Sequence, residues 1–578
     1  MDRTGLYGLF DLSGAPVDPG AAGVLGLTPL ASGIDALVDA VDLADPGAVQ
    51  VDRATESITM LLGRLDEPEP IAARLGLARN SSELAIARAA LLRFGPDIRT
   101  LLHGEWTLAH WNGRALVLVT SFALRDPLYY AIRGNRIAIS PDLRQLSRIE
   151  WIGDRFDPIG LLAAMGVERL RATVRQSSPI AGVQSLGAGS FVTLDREGVR
   201  DAPPPTIDVS DRWRGSFEDA MAEAEALMLR IVRQRMVGGA YACLVSGGLD
   251  SSTLGWLLAK NLEAEERLHF LTSAATPGSH QIDEFRHAAI VAAHLGIPHE
   301  AVIPRPTPGI YRPSSPHFRE RNGPSLSVRH YLYDGFAKAT RGANATLLFD
   351  GVFGEMTFTN PVPLHGEPGG LRNAARRLRT WWHQPGKTDV ASLFHVDLAR
   401  HRIVTPPPKI AEASLLRHRP DPMPSRHALW GINPSLTRAA RTTAQLDLGR
   451  VRMAMPFRDP RLSALFASFP AGMLYAESGA RRPARQLLIG KLPDAIRLRG
   501  KGPGIAPDYS ERLKAEAGAA RERIPLFRRA GADEWIDLEA LDRGLERNGA
   551  GVSAFREATR TQLTALAGEF FVWWRGIS

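Results

Sequence analysis

The sequence predicts an antiparallel β domain followed by an α/β domain whose C-terminal part is mostly helical. Short apolar runs alternate with Gly, Asn and Asp turns between Thr100 and Leu146, a pattern typical of antiparallel strands. Consecutive prolines then interrupt the chain at 203–205. Beyond Ser216, helical and strand-like patterns alternate. The 578 residues are enough for two to four domains of ordinary size.

The proline run sets the main predicted boundary, because consecutive prolines sustain neither a helix nor a central strand. We therefore expect one domain at 1–205 and a second at 206–578. The strands predicted in the first domain are Ala115–Val119, Arg136–Ser140 and Ser190–Leu194.

The second domain opens with a helix that Ser216 caps and that carries acidic residues in its first turn. The run Ala242–Val245 that follows is continuously apolar, as in a parallel strand buried on both faces. Residues from Gly370 to Ser578 have a mostly helical pattern. The other predicted elements are strands at Leu268–Thr272 and Ala345–Phe349 and a helix at Glu284–Leu295.

Composition excludes several classes of function. The net charge is +8 and the pI about 9.8, but the arginines are spread along the chain, which is typical of a solvated basic surface. No nucleic-acid motif and no apolar run of 18 residues is visible, and the first residues lack a secretory pattern. One cysteine excludes an intrachain disulfide. We expect a cytoplasmic protein that binds neither nucleic acid nor membrane.

The segment with the clearest chemistry is Ser246–Ser252, Ser-Gly-Gly-Leu-Asp-Ser-Ser, between the buried strand and a helix. Glycines allow close backbone approach, and amides at a helix start bind anions, so the segment predicts a phosphate cradle. A lysine that would grip terminal phosphates is absent, and a carboxylate stands there instead; Mg²⁺ would reconcile it with pyrophosphate. A plain turn that opens a helix is the alternative. The predicted ligand-binding residues are Ser246, Gly247, Gly248, Asp250, Ser251 and Ser252.

This segment resembles the signature Ser-Gly-Gly-x-Asp-Ser of the PP-loop ATP-pyrophosphatases, and within them the asparagine synthetase family. Four other segments are similar to the same family and extend the resemblance to near the C-terminus. They are Asp283–Glu300, Asp350–Glu355, Met455–Leu462 and the basic loop Arg499–Gly502.

The resemblance implies that ATP and Mg²⁺ are required and that a carboxylate is activated as an acyl-adenylate. It implies that Asp250 holds Mg²⁺ and that Glu355 stands where the family has a second metal-binding aspartate. Lys501 resembles the family lysine that stabilises charge developing during adenylation or amide closure. The alternatives are a surface acid for Glu355 and a solvated lysine for Lys501.

The first domain resembles the glutaminase domain of the same family, which implies an α+β domain of the Ntn type, built on a β-sandwich. The segments that carry this likeness are His103–Trp111 and Arg125–Tyr130. The family domain uses an N-terminal cysteine as nucleophile, whereas Asp2 stands here and the single cysteine is Cys243. We therefore expect no glutamine hydrolysis, and we expect Cys243 to be a buried apolar residue.

A preserved nucleotide loop beside a degenerate glutaminase implies an amine from another source. Two branches of the family fit, the β-lactam synthetases and the macrolactam synthetases that close lasso peptides. The turn with Val352 and Phe353 lacks the tyrosine that β-lactam synthetases have there. The Arg-rich segment 370–402 suits a peptide substrate. Our first hypothesis is a lasso peptide cyclase, whose expected partners are a precursor peptide, a leader-peptide protease and a leader-recognition protein. A small-molecule amide synthetase and a catalytically dead homologue are the alternatives.

Overall fold

The structure is a computed structural model, and several parts of the 578-residue chain lie outside what it describes. Among those parts are Lys501 and the Arg-rich segment 370–402, so the predictions made for them lie outside the described residues. The residues that the structure describes are 5–27, 29–31, 34–39, 47–52, 56–123, 128–165, 178–203, 213–279, 284–304, 309–314, 317–318, 322–324, 327–359, 451–474, 481–500 and 506–577.

Two antiparallel sheets form the first part of the described chain. Their spatial orders are β10-β8-β9-β1-β3-β2 and β12-β11-β7-β6-β5-β4. The predicted strand Arg136–Ser140 is confirmed at both ends, and the other two predicted strands are each displaced by one residue. The strands are β1 Gly5–Asp11, β2 Pro29–Ala31, β3 Ile34–Asp39, β4 Gly47–Asp52, β5 Ser57–Asp66, β6 His103–Trp111, β7 Leu116–Thr120, β8 Leu128–Arg133, β9 Arg136–Ser140, β10 Val183–Leu186, β11 Phe191–Asp195 and β12 Gly198–Asp201.

The two sheets pack face to face as a β-sandwich. Phe10 and Ile139 of the first sheet belong to one buried cluster with Ile58 and Leu118 of the second. The rings of Phe10 and Trp111 stack across the interface with centroids 5.6 Å apart. The inner faces of the two sheets therefore form one shared hydrophobic core.

A third sheet is parallel throughout and has the order β15-β14-β13-β16-β17. Cys243, in its central strand, is level with Phe270 on one side and Phe349 on the other. The strand predicted from Ala345 begins two residues later, because the Ala345 amide donates to Thr340 O and closes the preceding helix. These strands are β13 Ala240–Leu244, β14 Arg267–Ser273, β15 His299–Val302, β16 Leu347–Phe349 and β17 Arg452–Ala454.

Helices surround the sheets, and the predicted cap of the long helix after the proline run is confirmed. Ser216 and Asp219 form a reciprocal capping box. The α-helices are α1 Pro19–Leu25, α2 Glu69–Arg74, α3 Glu83–Phe94, α4 Ile98–Leu101, α5 Leu143–Leu146, α6 Pro158–Ala164, α7 Phe217–Arg235, α8 Leu249–Asn261, α9 Phe285–Leu295, α10 His330–Gly342, α11 Pro460–Ser468, α12 Ala471–Leu474, α13 Arg482–Leu487, α14 Asp494–Arg497, α15 Tyr509–Ala515, α16 Ala517–Arg521, α17 Ile524–Arg529, α18 Leu538–Ala550 and α19 Phe555–Arg575. Across the described ranges, no helix is both long enough and apolar enough to cross a membrane.

The helices after residue 506 pack against both halves of the molecule. Their buried side chains share one cluster with Leu9 of the sandwich and with Leu271 and Leu348 of the parallel sheet. Near the C-terminus, the Trp574 ring lies 5.6 Å from that of Phe156. The helical prediction for this region is confirmed where the structure describes it.

A buried ion network joins the sandwich to the parallel-sheet region. Asp66, at the end of β5, accepts hydrogen bonds from Arg235 at the end of α7 and from Arg461 at the start of α11. Asp459 lies 2.8 Å from Arg461 and 3.4 Å from Arg235. All four side chains are largely buried, so each charge depends on its partners for stabilisation.

Candidate active site

The glycine-rich segment forms a tight loop between β13 and α8, as its sequence predicts. Gly247 has φ +71°, and a Cβ atom there would lie 2.4 Å from His287 Cβ. Both the backbone conformation and the close approach to α9 therefore require glycine. Gly248 is the residue before α8, so the free amides of the helix begin at this loop.

Hydrogen bonds between two serines close the loop on itself. The Ser246 and Ser251 hydroxyl oxygens are 3.0 Å apart, and Ser251 Oγ accepts from the Ser246 amide at 3.1 Å. The Gly248 amide donates to Ser246 Oγ at 3.3 Å. Ser252, the last residue of the predicted set, is fully buried.

Asp250 lies in the first turn of α8, directly beside the turn that follows β16. Because β13 and β16 are parallel neighbours, the segments after them meet at one edge of the sheet. A Cβ on Gly351 would lie 2.9 Å from the Ser251 amide nitrogen, and one on Gly354 would lie 1.9 Å from Asp250 Oδ1. The structure thus brings Glu355, on the same turn, close enough to interact electrostatically with Asp250.

Burial and neighbouring groups shift the pKa of the Asp250 carboxyl in opposite directions. Burial raises its pKa to about 7, a hydrogen bond from Thr359 opposes that shift, the Glu355 charge adds to it, and Arg481 opposes it. A carboxyl with a pKa near neutrality releases its proton readily when a cation arrives, since metal binding requires the ionised form. The position therefore suits a cation that is bound together with an anionic ligand.

A third carboxyl, Asp350, stands directly after β16. Burial raises its pKa and the charge of Arg329 lowers it, while its Oδ1 accepts from the Val352 amide at 3.1 Å. Within the described ranges, no three His, Cys, Asp or Glu side chains converge on a point that could hold a metal ion. Two protein carboxylates are nevertheless enough for Mg²⁺, which commonly takes its remaining ligands from substrate phosphates and water. Asp250 and Glu355 fit that arrangement.

Arg499 connects the C-terminal basic loop to the nucleotide loop. Its guanidinium lies 2.5 Å from Glu284 and donates to the Ser246 carbonyl at 3.3 Å. Asp508, on the far side of the basic loop, accepts hydrogen bonds from the Thr276 amide at the carboxyl end of β14. Both ends of the basic loop are therefore attached to this edge of the sheet. Lys501, which lies between them in sequence, is outside the described residues.

Two residues other than glycine adopt left-handed backbone conformations at the site. Phe353 has φ +77° and Arg481 has φ +71°. Such conformations cost free energy and tend to accumulate where geometry is constrained by function. Phe353 is buried beside the carboxylates, and Arg481 precedes α13, whose Ala484 amide donates to Phe358 O at 3.1 Å.

Cys243 is fully buried in the central strand of the parallel sheet. Burial, assisted by the charge of Asp350, raises the pKa of its thiol well above the usual value. The thiolate is the nucleophilic form, so this cysteine is inert at neutral pH. The prediction that it serves as a buried apolar residue is confirmed.

Thr359 and Arg481 were not anticipated from the sequence. Thr359 is 109 positions from Asp250, to which it donates a hydrogen bond, and Arg481 is farther still. Neither belongs to a motif with a recognised spacing, so only the fold reveals their positions. Gly354 lies within Asp350–Glu355, one of the segments that resemble the asparagine synthetase family. Its contact with Asp250, however, depends on the pairing of β13 with β16.

Comparison with known families is decisive for the class of enzyme. Residues 223–352 match the asparagine synthase family. The chain is an ATP-dependent carbon–nitrogen ligase. The match includes the nucleotide loop and ends before Glu355, whose assignment as a metal ligand therefore stays a prediction.

A full-length relative extends the similarity to both halves of the chain. It is "Asparagine synthetase [glutamine-hydrolyzing] 3" of Bacillus subtilis (strain 168), 20% identical over 508 residues, which cover 81% of this chain and 78% of the relative. Neither the family match nor this relative identifies the substrate.

Solved structures give a much weaker likeness. The glutamine phosphoribosylpyrophosphate amidotransferase of B. subtilis, solved with ADP and GMP, has a TM-score of 0.23 at 9% identity, covering 54% of this chain and 78% of its own. A structure described as the allosteric regulatory enzyme of purine biosynthesis has a TM-score of 0.24 at 9% identity, covering 54% and 77%. Scores this low do not establish a shared fold.

Proposed function

We propose that this ligase is a lasso peptide cyclase. It would adenylate an Asp or Glu side chain of a precursor peptide and join it to the N-terminal amine of the same peptide. The proposal rests on one combination of features. The nucleotide loop is complete, whereas the thiol of Cys243, the single cysteine, is inert. Ser246, Gly247 and Asp250 lie in the loop between β13 and α8, while Cys243 is fully buried in β13.

The first step forms the acyl-adenylate. A carboxylate oxygen of the peptide attacks the α-phosphorus of ATP, and pyrophosphate leaves. Mg²⁺, when bound, would neutralise charge on the phosphates. Asp250 and Glu355 would hold it, and the amides at the start of α8 would bind the departing pyrophosphate. We expect Lys501 to stabilise the charge that develops as this bond forms.

The second step forms the amide. The amine nitrogen attacks the activated carbonyl carbon, AMP leaves, and the amine gives up a proton. Because the peptide carries both groups, a prefolded substrate makes ring closure intramolecular, which lowers the barrier by up to about 7–11 kcal/mol. The protein therefore needs to hold the peptide in a closed shape more than it needs a strong base.

The source of the amine distinguishes this chain from a glutamine-dependent synthetase. The Bacillus relative hydrolyses glutamine, according to its name. Here the one cysteine of the 578 residues is Cys243, whose thiol is buried and un-ionised. An amine carried by the substrate itself removes the need for ammonia from glutamine.

The first domain then has a structural role in this proposal. We propose that 1–205 keeps a glutaminase-like, Ntn-type fold and that 206–578 forms the ligase. The network of Asp66 with Arg235 and Arg461 attaches the first domain to α7 and α11 of the second. The β-sandwich is thus retained as a support for the ligase, without chemistry of its own.

The turn after β16 favours a peptide over a β-lactam precursor. At Val352 and Phe353 it has apolar side chains, and Phe353 is buried. It therefore supplies no phenol for a base dyad of the β-lactam kind. A precursor peptide, released from its leader by a protease that a recognition protein directs, is the substrate that we propose.

A product assay separates the three hypotheses. The purified chain is incubated with Mg²⁺-ATP and either a leaderless precursor peptide or small β-amino acid substrates, and AMP and pyrophosphate are measured. Peptide-dependent AMP release supports the cyclase, and release with small substrates alone supports a small-molecule synthetase. If ATP binds but no substrate gives AMP, the result supports the third hypothesis, a catalytically dead homologue.

A further inference from the structure

The carboxylate of Asp250 is held from one side by a short turn that ends at Thr359. The Thr359 hydroxyl donates a hydrogen bond to Asp250 Oδ1. The hydrogen atoms of Gly354 contact the same oxygen, since a Cβ there would lie 1.9 Å from it. Asp250 Oδ1 is therefore in contact with this turn through both Thr359 and Gly354.

Thr359 itself has little freedom to move. Its side chain is 1% exposed, and its amide donates to Gly354 O at 3.0 Å. The adjacent Phe358 packs edge-to-face on Phe457, with ring centroids 4.7 Å apart, and its carbonyl accepts from Ala484. The hydroxyl is thus held at a fixed position by packing, which makes it a rigid hydrogen-bond donor.

A fixed donor matters because the carboxylate can rotate. An aspartate side chain on the first turn of a helix can rotate about two torsions. A hard cation, however, needs the carboxylate oxygen in one orientation. A hydroxyl that donates to one oxygen locks that orientation.

We infer that Thr359 is a positioning residue that orients the Asp250 carboxylate for Mg²⁺-nucleotide binding. The inference rests on the proposed role of Asp250. Thr359 would touch neither substrate nor metal, and it would act through the aspartate alone.

The test measures binding directly, by calorimetric titration with Mg²⁺ and α,β-methylene-ATP, an analogue that cannot transfer its adenylyl group because its α–β bridge is not cleaved. Thr359→Val removes the hydroxyl and keeps the branched shape, and we expect affinity about ten- to a hundredfold weaker. Thr359→Ser keeps the hydroxyl, and we expect affinity within about threefold of the wild type. Thr359→Ala serves as a second deletion if the valine variant does not fold.

The chain offers a matched control in the same turn. Thr357 is equally buried, and its hydroxyl donates to Gly354 O at 3.3 Å and not to Asp250. Thr357→Val should bind the Mg²⁺-nucleotide like the wild type. Equal weakening in both valine variants would reduce Thr359 to a packing residue and overturn the inference. Wild-type protein that binds no Mg²⁺-nucleotide would instead remove the proposed role of Asp250.

Discussion

Arg461 Nη2 lies 2.6 Å from Asp66 Oδ2, and this contact joins the β-sandwich to the first turn of α11. Asp66 also accepts from the buried Arg235, so one carboxylate compensates two guanidinium groups. The same network includes Asp459. Asp459 lies close in sequence to Phe457, whose ring packs on Phe358 beside the site. The two halves of the molecule are therefore linked by a contact that leads towards the nucleotide loop.

Replacing Asp66 by Ala should destabilise the protein strongly, because two arginines would stay buried with too little negative charge. We expect a loss of about 3–5 kcal/mol in the free energy of unfolding, measured by urea denaturation with tryptophan fluorescence. The exposed pair of Arg575 with Asp154, 2.9 Å apart, provides the control. Asp154→Ala should cost less than about 1 kcal/mol. Equal effects of the two substitutions would show that the buried network contributes no special stability.

The Asp250 carboxyl should make the cation-free protein less stable as the pH rises. Its folded pKa is about 7 and its unfolded pKa is near 3.9, so the folded state binds the extra proton between these values. Stability from this group is therefore full below about pH 4 and is lost as the pH rises to about 7. Asp250→Asn should flatten that part of the profile and melt higher than the wild type at pH 8.

The measurement is thermal unfolding of both proteins in EDTA, between pH 5 and pH 8, without nucleotide. Added Mg²⁺-ATP should stabilise the wild type and leave the Asn variant almost unchanged. If the melting temperatures of the two proteins change in parallel with pH, a raised pKa of Asp250 is excluded.

Glutamine should have no effect on the reaction. The Cys243 thiol is buried and its pKa is raised, so thiol reagents directed at glutamine sites should neither label the native protein nor inhibit it. Cys243→Ala should keep AMP formation close to the wild-type rate. Glutamate release from added glutamine, measured by an enzyme-coupled assay, would contradict this expectation.

Lys501→Ala should lower the turnover rate more than it weakens ATP binding. Loss of one contact to charge that develops in the transition state typically costs about 2.7–4 kcal/mol, a rate drop of a hundred- to a thousandfold. Steady-state kinetics of AMP release measure both parameters. Lys338, exposed on α10, is the control, and its alanine variant should retain full activity. A raised KM for ATP with unchanged maximal rate would make Lys501 a binding residue.

The parts of the fold that follow from local sequence were predictable, and the parts that depend on pairing were not. The loop at Ser246–Ser252 was evident, because glycines, serines and a following helix lie within a few residues of each other. The strand β5 gave no alternating pattern, since nearly all ten of its residues are buried, and it was not predicted. The bond of Thr359 to Asp250 connects residues 109 positions apart, which no local pattern specifies.

We propose that this ligase activates a peptide carboxylate and joins it to an amine of the same peptide. The most direct test is to incubate the enzyme with Mg²⁺-ATP and a leaderless peptide whose Asp or Glu side chain carries ¹⁸O, and to analyse both products by mass spectrometry. We expect one ¹⁸O atom in AMP and a peptide that has lost one water and has no free N-terminal amine. Unlabelled AMP, formation of ADP, or a peptide that gains ammonia at the side chain would contradict it.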